Sequence, residues 1–303
     1  MGAADPKPSR ASLVTAFALI YVIWGSTFLA IRFAIETIPP FLMAGTRFIV
    51  AGGLLYGWTR LRGEPTPTRR QWRSAAIVGA ALLVGGNGAV TWSEQRVPSG
   101  IAALLVALIP LWMVLLDWWR PGGARPTGGV FAGLALGLAG TALLVSAGGT
   151  DAAHIDRLGV VVLAVGSLSW AFGSLFARGA DLPRSPLVAD AAEMLAGGVI
   201  LFGLAFATGE HRGFSLAAVT MRSSISLVYL ITFGAIVGFS AYTFLIRSTT
   251  PTLVSTYAYV NPVVAVFLGW AFANEPVTTR TLAAAAVILA GVAMITISRA
   301  VRS

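Results

Sequence analysis

The sequence predicts an all-α polytopic membrane protein: ten transmembrane helices arranged as two inverted five-helix repeats, with the N- and C-termini cytoplasmic. Three observations lead there. Of 303 residues, 56% are hydrophobic and only 11% are charged, against about 25% charged in soluble domains, so too few charges exist to coat a globule of this size. The apolar residues cluster into blocks long enough to cross a bilayer core of about 30 Å, which takes about 20 helical residues. The chain also resembles itself at an offset near half its length. Cysteine is absent, which excludes disulfides and thiolate chemistry.

Taken in order, the first block, 13–31, follows Lys7 and Arg10 as a signal peptide would. It is too long for one and lacks a clean small-residue cleavage site, so it reads as an uncleaved anchor. The second, 41–59, starts after Pro39-Pro40, and the third, 74–92, carries Gly85-Gly86-Asn87-Gly88. The fourth, 100–119, contains Pro110 and stops before the break Arg120-Pro121-Gly122-Gly123. In the fifth, 128–146, Gly129, Gly133 and Gly137 form two successive GxxxG steps, a close-packing signal. The sixth is 159–177, and the seventh, 187–208, carries Asp190 and Glu193. The eighth, ninth and tenth are 224–246, 252–273 with Pro262, and 281–298 with a small-residue face at Ala286, Ala290 and Gly291. The short connections leave no room for a soluble domain.

Basic residues set the orientation. With the N-terminus inside, fourteen of the 21 Lys and Arg residues fall on the inner side and six on the outer, while Arg47 lies within a span. The net charge of +9 is therefore mostly topology and calls for no nucleic-acid partner.

Sliding the chain by 146 residues places Trp24 on Trp170, Arg32 on Arg178, Pro40 on Pro186, Arg47 on Glu193 and Gly52 on Gly198; a slide of 152 places Gly86 on Gly238, Pro110 on Pro262 and Trp118 on Trp270. The units are 1–150 and 151–303. Each holds five spans, an odd number, so the second enters the membrane upside down. Inverted repeats build many secondary transporters, with the substrate near the midplane between the repeats.

An ionisable group inside the membrane costs about 2.5–3.5 kcal/mol on insertion scales, which makes it a functional candidate. Asp117 and Asp190 lie near span ends and read as interfacial. Arg47 and Glu193 are each seventh in their span, at equivalent repeat positions. At 1.5 Å per residue they sit about 9 Å inside opposite faces, leaving about 12 Å between them, so they do not pair. Arg47 is a candidate cavity residue for a carboxylate and Glu193 a candidate gate, the bland reading being that each snorkels to its own side.

Most tryptophans occupy span ends, where indoles anchor at the interface. Trp24, Trp112 and Trp170 lie near span centres and are candidates to stack on substrate, or simply to pack helices. Tyr257 and Asn261 share one helix face, and Asn87 is either a substrate partner or interhelical glue. Pro110 and Pro262 lack an amide hydrogen and are expected to interrupt their helices at related depths, as gate or hinge positions.

Trp24-Gly25-Ser26-Thr27-Phe28, Arg47, the Pro110 segment, Asn261-Pro262 and Asn274-Glu275-Pro276 resemble the drug/metabolite transporter superfamily, EamA family, over nearly the whole chain. The second unit departs from the pattern, with Trp170-Ala171-Phe172-Gly173-Ser174. The resemblance implies a ten-helix exporter of amino acids or related metabolites in a bacterial inner membrane, with the aromatic amino-acid exporters as near relatives.

Other classes lack their residues. No phosphate loop is present, Lys7 is the only lysine, and His154 and His211 are the only histidines and lie between spans. We therefore expect no enzyme, no cofactor and no metal. The partners expected are the bilayer and a small-molecule substrate, with the chain a monomer or homodimer. A facilitative channel is the rival reading, since inverted repeats also build pores, and export of other drugs or metabolites is the rival substrate.

Overall fold

The computed structural model describes residues 9–119, 127–145, 156–249, 254 and 256–300. The break expected at 120–123 and the first residues of the ninth span lie outside them. The described residues contain helices and no strand. The helices are α1 (Arg10–Ala34), α2 (Pro40–Leu61), α3 (Arg69–Ser93), α4 (Ser99–Trp119), α5 (Gly128–Val145), α6 (Arg157–Ala177), α7 (Pro186–Ala207), α8 (Met221–Leu245, running on to Ser248), α9 (Tyr257–Ala273) and α10 (Thr279–Ala300). Seven of them, α1–α4 and α6–α8, are long and apolar enough to cross a membrane, and α5, α9 and α10 contain shorter apolar stretches.

Local chemistry sets their ends. The Ser9 hydroxyl accepts from Ser12 N (3.1 Å), and Thr68 and Gln71 form a reciprocal capping box that starts α3 five residues before the expected span. Asp156 accepts from Gly159 N at 2.8 Å and starts α6. Pro40 and Pro186 occupy first turns, where the missing amide hydrogen costs nothing. Asn274, the only described non-glycine residue with positive φ (53°), ends α9.

Two helices change winding in their middles. Ala80–Gly88 in α3 and Leu230–Val237 in α8 are π-helical, a register that opens backbone groups and recurs at functional sites. The two prolines differ. Around Pro110, α4 is interrupted by a turn at Ala107 and Leu108, so Pro110 opens the second half of the helix. Pro262 instead lies inside the uninterrupted α9. The expectation of matched interruptions thus meets one broken and one continuous helix. A proline in the first turn of a new helix segment is tolerated, whereas inside a helix it removes one ladder bond and its ring crowds the carbonyl four residues back.

Lipid tails are as apolar as leucine, so helices hold together by close packing at small residues. A methyl group added at Gly52 of α2 would lie 2.9 Å from Leu195 N of α7, and one at Gly198 of α7 would lie 2.8 Å from Ile49 N of α2. The small faces of α5 and α10 pack on each other: a methyl at Gly133 would lie 2.6 Å from Gly291 O, and one at Gly291 2.7 Å from Gly133 O. The GxxxG steps thus serve a contact within the chain.

Candidate functional site

A cavity of about 100 Å³ lies among α1, α2, α3, α4, α6, α8 and α9, lined by Trp24, Thr27, Arg47, Asn87, Trp170, Phe239, Tyr257 and Asn261 among others. Of the seven residues expected at the cavity, six meet there. Trp112 does not: its ring packs against the apolar core around α4, with its indole nitrogen buried and unpartnered. Glu193 is also elsewhere, on α7 with its backbone against Gly79 of α3; neighbouring Asp190 accepts from the Thr243 hydroxyl at 2.9 Å. Pro110 and Pro262 directly adjoin lining residues, Ile109 and Asn261.

Arg47 dominates the electrostatics. It is 4% exposed, its guanidinium carbon lies 4.8 Å from the centre of the adjacent Phe48 ring, and its Nε is buried without a partner. Among the described residues it makes no hydrogen bond and no ion pair. A buried cation without a counter-charge is costly, and its donors match a carboxylate two at a time. Asn87 on the π-helical part of α3 also lines the cavity, and its side-chain amide makes no hydrogen bond among the described residues.

The two mid-span tryptophans are seated alike. Trp24 of α1 lies over Gly238, where an added methyl would come 2.9 Å from its Cδ1, and Trp170 of α6 lies over Gly86, where an added methyl would come 2.7 Å from its Cε3. Gly86 lies within a π-helical stretch and Gly238 directly follows one, each in the half of the chain opposite its tryptophan. These seats were missed in the sequence, although Gly86 and Gly238 coincide at the same offset as the two prolines.

Polar bonds within the wall fix its shape. The Trp24 indole donates to Gly234 O (3.3 Å), and its ring meets Phe239, Tyr242 and Tyr257 at centroid distances of 5.6, 5.1 and 5.3 Å. The Asn261 amide lies 3.2 Å from both Tyr21 O and Tyr257 O, so the orientation that turns its nitrogen toward these acceptors lets it donate to both and tie α9 to α1. The Tyr21 and Thr256 hydroxyls bond at 2.5 Å, and those of Ser26 and Tyr229 at 2.6 Å.

Next to the lining residues Ile31 and Val90 lies a layer of polar contacts that sequence reasoning also missed. Arg32 donates to Glu94 O at 2.8 Å, joining the ends of α1 and α3. Glu275 accepts from Ser99 N (2.7 Å) and Gly100 N (3.1 Å), capping the start of α4 from beyond α9. Glu210 likewise accepts from Phe41 N (3.3 Å) and Leu42 N (3.0 Å) at the start of α2. Burial holds the Glu210 carboxyl above its usual range against those two bonds, whereas the Gly159 amide and Arg96 hold the Asp156 carboxyl below it.

The EamA-like transporter family model matches this chain twice, at residues 12–146 and 157–297. The chain belongs to that family. It is 40% identical over 288 residues to the uncharacterized inner membrane transporter YedA of Escherichia coli K12, covering 95% of this chain and 91% of that one. It is 30% identical over 285 residues to a probable terminal-alkyne amino-acid exporter of Streptantibioticus cattleyicolor, covering 93% and 92%. A solved crystal structure shares the fold with a TM-score of 0.63 at 23% identity, covering 97% of this chain and all of that one. The chain is accordingly a multi-pass inner-membrane transporter of the EamA kind, and family and relatives alike point to a transporter, not an enzyme.

Proposed function

We propose that this transporter is a secondary exporter of neutral amino acids, aromatic or otherwise apolar, working by alternating access between two inverted five-helix repeats, 1–150 and 151–303. The observation that carries the substrate class is Arg47: a buried guanidinium, unpaired among the described residues, in a cavity lined by aliphatic, aromatic, hydroxyl and amide side chains with no other charged group. A substrate carboxylate supplies the missing counter-charge, Asn87 offers a polar contact, and the aromatic walls receive an apolar side chain. The likeness to the Streptantibioticus amino-acid exporter supports an amino acid as substrate.

Ten spans with both termini inside agree with the distribution of basic residues. The paired family matches and the repeat-related contacts, Gly52 against α7 and Gly198 against α2, Gly86 against Trp170 and Gly238 against Trp24, support the duplication. The cavity volume supports a gated path. About 100 Å³ is less than the roughly 150 Å³ that admits a benzene ring, so an amino acid with an aromatic side chain enters only when helices part.

The test is counterflow in proteoliposomes, with a panel of labelled amino acids. A carrier gives saturable counterflow, and a facilitative channel gives non-saturating flux with none. Failure of every neutral amino acid to saturate removes the substrate assignment and turns attention to other metabolites.

A further inference from the structure

Glu94 is the most thoroughly buried carboxylate among the described residues: its side chain is 0% exposed and neither oxygen has a hydrogen-bond partner. It follows Ser93, the last residue of α3, and stands one helical turn past the cavity-lining Val90. Arg32, the residue after cavity-lining Ile31, holds the Glu94 carbonyl, leaving the carboxyl itself without a donor. The Ser99 hydroxyl beside this layer is also buried and unpartnered.

The charged groups acting on Glu94 are Arg32 from the end of α1 and Glu275 from beyond α9. Arg96, in the same turn as Glu94, is engaged by Asp156 at 3.3 Å. Both oxygens of Glu275 are held by the amides at the start of α4. An ionised Glu94 would therefore be a second negative charge in an enclosed layer without a donor, an arrangement that proteins avoid by keeping the proton. Burial and the Glu275 charge, opposed by Arg32, push the Glu94 carboxyl well above the usual carboxylate range.

We propose that Glu94 is a proton-operated latch on the gate at this face of the cavity: its carboxyl is neutral while the gate is shut and releases its proton to water when the gate opens. The inference rests on the alternating-access reading, because it needs a gate. On opening, the O–H bond breaks, the proton goes to water at this face and the carboxylate is hydrated; on closing, it is protonated again before burial. Each opening therefore releases one proton. The opening equilibrium rises up to about tenfold per pH unit above the ordinary glutamate range near pH 4.3, until the shut-state carboxyl itself ionises. Acid at this face holds the gate shut.

The chain has no cysteine, so Val90→Cys places a single thiol behind the gate. Its labelling rate by a membrane-impermeant thiol reagent is read from pH 5.5 to 7.5 and divided by that of exposed Gln95→Cys, which removes the thiol's own titration. We expect the normalised rate to rise several-fold to about tenfold per pH unit. In Val90→Cys/Glu94→Gln the slope is lost, and in Val90→Cys/Glu94→Asp it is retained. An equal slope with and without Glu94 overturns the latch. Absence of Val90→Cys labelling at every pH, with Gln95→Cys reactive, overturns the gate itself and with it the alternating-access reading. Neither result depends on which substrate is carried.

Discussion

Trp24 and Trp170 occupy equivalent positions in the two halves, each over a glycine of the other half, yet their surroundings differ. The Trp24 indole donates to Gly234 O and its ring is enclosed by three aromatic neighbours. Trp170 has no aromatic ring partner and no acceptor for its indole N–H among the described residues, although it lines the same cavity. One seat is completed by the protein and the other is left open. On the proposed duplication, the seat left open, at Trp170, is the one we assign to substrate contact. Arg47 makes the same point: its equivalent in the second half is Glu193, which does not line the cavity.

The largest expected difference between the seats is in stability. Trp24→Ala removes a bonded, ring-packed indole and should lower stability by about 3–5 kcal/mol on the scale of buried aromatic truncations, read as thermal unfolding in detergent. Trp170→Ala should lose clearly less stability but weaken substrate affinity by about 2–13-fold, the equivalent of 0.5–1.5 kcal/mol for an aromatic contact. Equal melting losses would erase the distinction. Next are the glycines. Gly238→Ala and Gly86→Ala each force a methyl into an indole, at an overpacking cost of about 1–3 kcal/mol. The first should appear mainly as lost stability and the second mainly as a raised KM, because the less constrained Trp170 can move. The smallest effect is that of Trp24→Phe, which keeps an aromatic ring but removes part of the indole and its bond to Gly234 O, costing at least about 1 kcal/mol with transport retained.

Much of this arrangement was legible in the chain. A charge or an indole deep in a span is uncommon, so depth brought forward Trp24, Trp170 and Arg47. Helix faces could be read from period, which is why Tyr257 and Asn261 were paired. The π-helical stretches were not legible, because Ala80–Gly88 and Leu230–Val237 are as apolar as ordinary helix and their register depends on what packs against them. Trp112 was chosen by the same depth rule as Trp24, and only the direction of its side chain separates them. Glu94 was passed over because a carboxylate two residues after a span-end tryptophan is ordinarily hydrated. Its burial is made by α1 and by the segment after α9, which are distant in sequence. Pro110 and Pro262 were expected to behave alike, but whether a proline breaks a helix depends on whether the surrounding packing supplies a turn.

The most direct test of the account is counterflow of labelled neutral amino acids by the wild-type chain and by Arg47→Ala in the same proteoliposomes. Loss of a charge-assisted bond worth about 1.5–3 kcal/mol predicts saturable counterflow in the wild type and a drop in kcat/KM of roughly 10–150-fold in Arg47→Ala, with the folded protein still incorporated. Unchanged counterflow in Arg47→Ala would contradict the assignment of Arg47 as the substrate's counter-charge.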